Sequence, residues 1–224
     1  MIKYHPTDRL IEQFSAGVLN PALSVIISTH IDICPRCQNV THDAEQFLAE
    51  QVMQTQVKSL TPELDQQFDQ MLDQILNAEA PTNIVEFPYN EVLHLNGKTF
   101  KLPATLARQY KRIGDWSRVP GKMLKAPINL GSNECINLIY MDEGSRVPEH
   151  THKGNEITLV INGVFNDEQD EYRDGDFVML DQHHQHSPET RDEDCLTLAT
   201  LDAPLHFTSG LARLLNPFSS LFFK

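Results

Sequence analysis

GSRVPEHTHKGNEITLVING, residues 144–163, is the stretch whose reading decides the fold. His150 and His152 are two apart, so on a β-strand both side chains face the same side. Glu156 follows a turn that contains Gly154, and a second strand begins there. Two adjacent strands can thus aim two imidazoles and a carboxylate into the interior of a small barrel. A fourth ligand has to come from elsewhere, and GDFVMLDQHHQHSP (175–188) offers His183, His184 and His186. Imidazoles with one carboxylate suit Zn, Fe, Mn, Ni or Cu.

The surroundings agree with a β-rich half. After residue 90, NECINLIYM (133–141), NEITLVING (155–163), DFVML (176–180) and CLTLAT (195–200) are short aliphatic runs separated by Gly, Asn, Asp and Pro. That pattern predicts antiparallel strands. Asn96-Gly97 is a hairpin signal. GLARLLNPFSSLFFK (210–224) reads as a short helix and tail. Cys135 and Cys195 lie in strand-like runs and read as buried small hydrophobes. Trp116 should pack near the start of the barrel.

Before residue 85 the period is helical. Leu10, Phe14 and the stop signal Gly17 mark a first helix. Asn20 and Pro21 open a second, on which Leu23, Ile26, Ile27, His30 and Cys34 share one face. A third is expected from about Cys37 to Val57, with Val40, Phe47 and Leu48 apolar. A fourth begins at Thr61-Pro62, with the stripe Leu64, Phe68, Met71, Leu72, Ile75 and Leu76. NAEAPTNIVEFPYN (77–90) has two prolines and no period. The expected division is a helical domain at 1–80, a linker at 81–92 and a barrel at 93–224.

HIDICPRC (30–37) has three readings: a metal clip, a redox pair, or two packed cysteines. His30 and Cys34 are one helical turn apart, and Cys37 follows beyond the break at Pro35. Thiolates with an imidazole favour Zn²⁺, and a structural site needs a fourth ligand. His5, His42, Asp32 and Asp43 are candidates. A thioredoxin-like pair would follow a strand, whereas the segment here is helix-periodic.

Composition narrows the function. A net charge of −13 over 224 residues argues against direct binding to nucleic acid or an anionic membrane. The first 85 residues hold four Lys and Arg against eleven Asp and Glu, a surface that suits a basic partner. No run approaches the roughly 18 apolar residues of a membrane span, and no signal peptide is evident. The expectation is a cytoplasmic chain whose four cysteines are thiols or metal ligands.

The spacing G-x5-HxH-x3-E-x6-G, complete from Gly144 to Gly163, resembles the first motif of the cupin superfamily, double-stranded β-helix barrels of the jelly-roll type. The second cupin motif places its histidine eleven residues after a glycine. From Gly175 that is His186, with His183 in reserve. Asp181 and His183 stand where that motif has Pro and Gly, and Thr190 where it has Asn.

A helical HxxxCxxC module followed by a cupin resembles the ChrR-type anti-sigma factors over nearly the whole chain. The resemblance implies a multidomain α plus all-β fold, a zinc-stapled anti-sigma domain ahead of the barrel. It implies zinc ligands at His5, His30, Cys34 and Cys37. It implies barrel ligands at His150, His152, Glu156 and His186, for Zn first, with Fe, Mn or Ni as alternatives. The implied partner is a sigma factor of the extracytoplasmic-function class, held in the cytoplasm and released on an oxidative signal of the singlet-oxygen type. An unknown small molecule in the barrel is a further candidate partner. No catalytic residue is implied. The alternative is a metal-dependent cupin dioxygenase or isomerase, for which Tyr140, Tyr172 and Arg173 are candidates by type alone. A regulator that touches DNA directly is a third class, and the acidic charge opposes it.

Overall fold

The computed structural model describes residues 1–55, 61–79, 91–132, 134–208 and 210–219. Most of the expected linker, and Val57 at the expected end of the third helix, lie outside them. The chain divides into two compact units, one of residues 1–45 with 89–224 and one of residues 46–88.

Local signals set the helices. Thr7 caps α1 (Asp8–Ser15), and Gly17 at φ 69° stops it. Asn20 caps α2 (Pro21–Ile33) through its side-chain oxygen, which accepts from the Leu23 N–H at 2.9 Å. Pro35 has no N–H to continue that ladder, and it forces Cys34 to an extended φ −110°, ψ 102°. The same proline is well suited to a first helical position, so α3 (Pro35–Gln54) begins there, two residues before the expected start. Thr61 caps α4 (Pro62–Asn77).

The strands are β1 (Val92–Leu95), β2 (Lys98–Lys101), β3 (Ser117–Val119), β4 (Met123–Pro127), β5 (Ile136–Met141), β6 (His150–His152), β7 (Glu156–Gly163), β8 (Phe165–Asn166), β9 (Glu171–Tyr172), β10 (Phe177–Leu180), β11 (Gln185–His186), β12 (Cys195–Leu201) and β13 (Leu205–Phe207). Asn96 and Gly97 both take positive φ in the β1–β2 hairpin, as a two-residue turn of this type demands. Between β2 and β3 lies a short helix that the strand-like pattern does not announce, α5 (Ala104–Arg108). The main sheet runs β10-β7-β12-β5-β4-β3, antiparallel throughout, and a three-stranded sheet runs β11-β6-β13.

Both faces of the main sheet are covered. On one, Leu138, Leu159, Leu196 and Leu198 join Ala22, Ile26 and Ile27 of α2 and Leu106 and Ala107 of α5 in a single core. On the other, Met123, Met141, Val160, Phe165, Val178, Leu180 and Cys195 form a second cluster. This explains why every residue of β12 is buried. Cys195 is the expected buried hydrophobe, whereas Cys135, just ahead of β5, is only partly buried. Trp116 packs against the first core, as expected. Asp32 seats α5 on α2 by accepting the Thr105 N–H at 2.5 Å.

Gly163 ends β7 at φ 91°, and a β-carbon there would lie 2.0 Å from the Asp194 carbonyl oxygen. Gly131 has φ 75° with nothing within 4 Å. Gly163→Ala should therefore cost more than about 2 kcal/mol, and Gly131→Ala only about 1 kcal/mol from backbone strain. Thermal unfolding of the two variants checks this, and equal losses would contradict the clash.

Candidate metal centres

The eight singled-out residues gather into two clusters, within each of which all ligand atoms lie within 4.8 Å of one another. In the first, His30 lies in the last turn of α2, Cys34 is its C-cap, and Cys37 is in the first turn of α3. Pro35 turns the chain at Cys34, so three side chains within eight residues converge. His5 arrives from the segment ahead of α1. Its Nδ1 is 3.3 Å from Cys34 Sγ and 3.5 Å from Cys37 Sγ, and His30 Nε2 is 3.2 Å from Cys37 Sγ. The N–S edge of a tetrahedral zinc site is about 3.5 Å with ordinary Zn–S and Zn–N bonds. Ile11, fully buried, closes the site with Cys34 and Cys37.

His30 Nδ1–H donates to the Gly175 carbonyl at 2.9 Å, leaving Nε2 as a lone pair aimed into the cluster. Burial, against the opposing pull of that bond, lowers the His30 pKa to about 4. Burial first, and then the neighbouring Cys34 thiol, raises that of Cys37. A cation beside such a thiol favours its ionised form. The other candidates stay outside. His42 and Asp43 are exposed, and Asp32 is engaged at α5.

In the second cluster, β6 supplies His150 and His152, β7 begins with Glu156, and β11 ends with His186, paired directly opposite His150. His186 Nε2 is 3.1 Å from His150 Nε2 and 3.2 Å from His152 Nε2, and His152 Nε2 is 3.1 Å from Glu156 Oε2. His150 Nδ1–H donates to the Pro148 carbonyl at 2.9 Å, and His186 Nδ1 faces Asp167 Oδ2 at 3.4 Å. His150 therefore presents an Nε2 lone pair to the cluster, and His186 Nε2, 3.1 Å away, meets it across either a shared proton or a cation. Burial lowers the His150 pKa to about 4. For His186 burial also lowers it, but Asp167 and Glu156 outweigh that and the net shift is upward. Burial alone would raise Glu156, and the three imidazoles reverse this.

A cavity of about 90 Å³ opens beside His150, Glu156 and His186, walled by Met123, Ile139, Met141, Val178 and Leu180. His183 is exposed and outside the cluster, and His184 Nδ1 is bound to Asp181 Oδ1 at 2.8 Å. Tyr140, Tyr172 and Arg173 do not line this cavity. Arg173 is paired with Glu171 at the surface, and the Tyr172 hydroxyl donates to Asp167 at 3.4 Å. Sequence reasoning missed Asp167. Its carboxylate is fully buried behind His186, yet it stands in an acid-rich turn with nothing to single it out.

His30 and His150, two of the histidines whose pKa is lowered by burial, make the metal-free chain acid-sensitive. Their folded pKa of about 4 lies below the roughly 6.5 of an unfolded imidazole. The unfolded chain binds more protons in that window, so stability is present above pH 6.5 and falls as pH drops toward 4. Between pH 7 and pH 5 each should cost on the order of 2 kcal/mol. Thermal melts in a strong chelator should show this drop, and His150→Gln should reduce it.

Residues 112–205 match the ChrR cupin-like domain family. The anti-sigma-E factor ChrR of Cereibacter sphaeroides is 31% identical over 229 aligned residues, covering 97% of this chain and 98% of that protein. Among solved structures, that of Rhodobacter sphaeroides SigE in complex with the anti-sigma ChrR matches with a TM-score of 0.69 and 26% identity. It covers 90% of this chain and all of that one. With a relative this similar over almost its full length, the chain belongs to the ChrR family.

Proposed function

We propose that this chain is an anti-sigma factor. It sequesters a sigma factor of the extracytoplasmic-function class in the cytoplasm, and an oxidative signal of the singlet-oxygen type, sensed through the barrel, releases it. The observation that carries this reading is the relation to ChrR over both halves of the chain, together with two clusters that fit a metal. Functionally, residues 1–80 form the sigma-binding portion, 81–92 the linker and 93–224 the sensory barrel. No helix among the described residues is long and apolar enough to cross a membrane.

His5, His30, Cys34 and Cys37 hold Zn²⁺, for which two thiolates, two imidazoles and tetrahedral edges are the fitting donor set. His150, His152, Glu156 and His186 hold a second divalent ion. Three imidazoles and one carboxylate suit Zn, Fe, Mn or Ni. When bound, such an ion supplies a Lewis-acidic point for an oxidised or oxygen-bearing small molecule. This chain's residues orient the ligands and line the cavity mostly with apolar side chains.

The sigma-facing surface includes α4. Leu64, Phe68, Met71, Leu72, Ile75 and Leu76 form one stripe, all are exposed, and no residue of α4 is buried. An amphipathic helix with an uncovered apolar stripe fits a groove on a partner.

Two experiments test the reading. The purified chain should carry two metal equivalents, with Cys37→Ser removing one and the pair His150→Ala and His152→Ala the other. In cells, the barrel pair should keep sigma sequestered and lose release by singlet oxygen. Unchanged release would move the sensor to the oxidisable thiolates of Cys34 and Cys37. In pull-downs with the sigma factor, Phe68→Glu with Leu72→Glu should weaken capture by at least about tenfold, the scale of losing apolar anchors. Metal content should stay at two equivalents.

A further inference from the structure

The segment between β8 and β10, residues 167–176, touches both clusters. At its start, Asp167 Oδ2 faces Nδ1 of the barrel ligand His186 at 3.4 Å. At its end, the Gly175 carbonyl accepts the Nδ1–H of the first-cluster ligand His30 at 2.9 Å. Metal-bound histidines are oriented by the partner of their second ring nitrogen. Here both partners come from one ten-residue segment.

The same segment fixes the approach of His5. Asp176 is buried and accepts three N–H groups: Oδ1 takes those of Lys3 at 2.6 Å and Tyr4 at 3.0 Å, and Oδ2 takes that of Arg173 at 2.9 Å. The Phe177 N–H donates to the Tyr4 carbonyl at 3.0 Å, so residues 3–4 are held against the start of β10. The next residue is His5. Close contact enforces the seat, for a β-carbon at Gly175 would lie 2.5 Å from Ile2 Cδ1.

The interior of the segment connects the two ends. The Tyr172 hydroxyl donates to Asp167 at 3.4 Å, and the Tyr172 ring lies 5.2 Å from that of Tyr4. The Tyr4 hydroxyl and the Lys3 ammonium both bind Asp170. Asp167 Oδ1 accepts the backbone N–H groups of Gln169 and Asp170 at 2.8 and 3.0 Å. From His186 to His5 the path is Asp167, Tyr172, Tyr4, with every step a direct contact.

We propose that residues 167–176 are a shared positioning element for two metal centres, so that loss of the barrel metal loosens the hold of the first cluster on its zinc. The inference rests on the reading that both clusters bind metal. Asp167, Gly175 and Asp176 touch no ion. They act by aiming His186, His30 and the segment that carries His5. Coupling of this kind is reciprocal, since each centre stabilises the arrangement that the other needs.

The test is zinc transfer from the full-length, zinc-loaded chain to a chromogenic chelator, after the metal content has been measured. The wild type should hold two equivalents and release them in two phases, the first-cluster phase being the one absent in Cys37→Ser. With His150→Ala and His152→Ala, the remaining equivalent should leave about tenfold faster than in wild type, the scale on which outer partners tune metal affinity. Asp176→Ala, which alters no ligand, should also speed the first-cluster phase, and Asp176→Asn, which keeps an oxygen for Lys3 and Tyr4, should restore part of the difference. A merely structural role would lower Tm without this selective recovery. If the histidine pair unfolds the barrel, the Asp176 variants decide. Two equivalents bound, with first-cluster rates within twofold of wild type in the variants that fold, would overturn the coupling alone. Fewer than two equivalents in wild type would overturn the two-centre reading and the coupling with it.

Discussion

The outer face of the main sheet is the constraint on which the rest of the structure depends. Leu138, Leu159, Leu196 and Leu198 are fully buried there, and the opposite face is apolar as well, so the sheet can be wet on neither side. Each side chain left uncovered would forfeit roughly 1.5–3 kcal/mol. Helix α2 supplies much of the cover with Ala22, Ile26 and Ile27. His30 follows one turn after Ile26 on the same face of that helix. Laying α2 on the sheet therefore delivers His30 to the Gly175 carbonyl and sets its ring 6.1 Å from that of Phe177. The placement of the first cluster is a consequence of sheet burial.

Features encoded by neighbours in sequence were legible. Asn20, Pro21, Thr61 and Gly17 act through hydrogen bonds and φ preferences that span three or four residues, so the helix ends could be read directly. The pairing of His150 with His152 follows from strand alternation, and Pro35 announces the break that lets Cys34 and Cys37 converge. The choice of His186 over His183 and His184 came from a motif spacing, since period alone places His184 and His186 on one face. Features that exist only across the fold were not legible. Asp167, Asp170, Asp174 and Asp176 look alike in an acidic stretch, and only the folded chain shows that Asp167 faces His186 and Asp176 receives Lys3 and Tyr4. Likewise α5 is too short for a period to be seen, and its position is fixed by Asp32, a contact across 73 residues.

Helix α4 marks a different limit. Its stripe at steps of three and four was plain, because the pattern needs only the helix itself. What covers the stripe is not encoded in that pattern, and among the described residues no side chain of α4 is buried. An exposed apolar face is costly to leave in water, and a helix that carries one is suited to docking on a partner.

The two clusters are built for different chemistry. The first joins thiols to imidazoles behind Ile11, with one histidine bonded outward to a backbone carbonyl, a donor set that suits zinc and is lost when a sulfur is oxidised. The second has no sulfur. It has three imidazoles and one carboxylate, of which His150, His186 and Glu156 border an apolar cavity, and its outer partner, Asp167, is itself braced by Tyr172 and two backbone N–H groups. A centre of that type can meet a small molecule at the metal without destroying its own ligands. A signal met at that centre would need a route outward, because its three histidines are buried. The turn that carries Asp167 provides a route, since it ends on the carbonyl that aims His30.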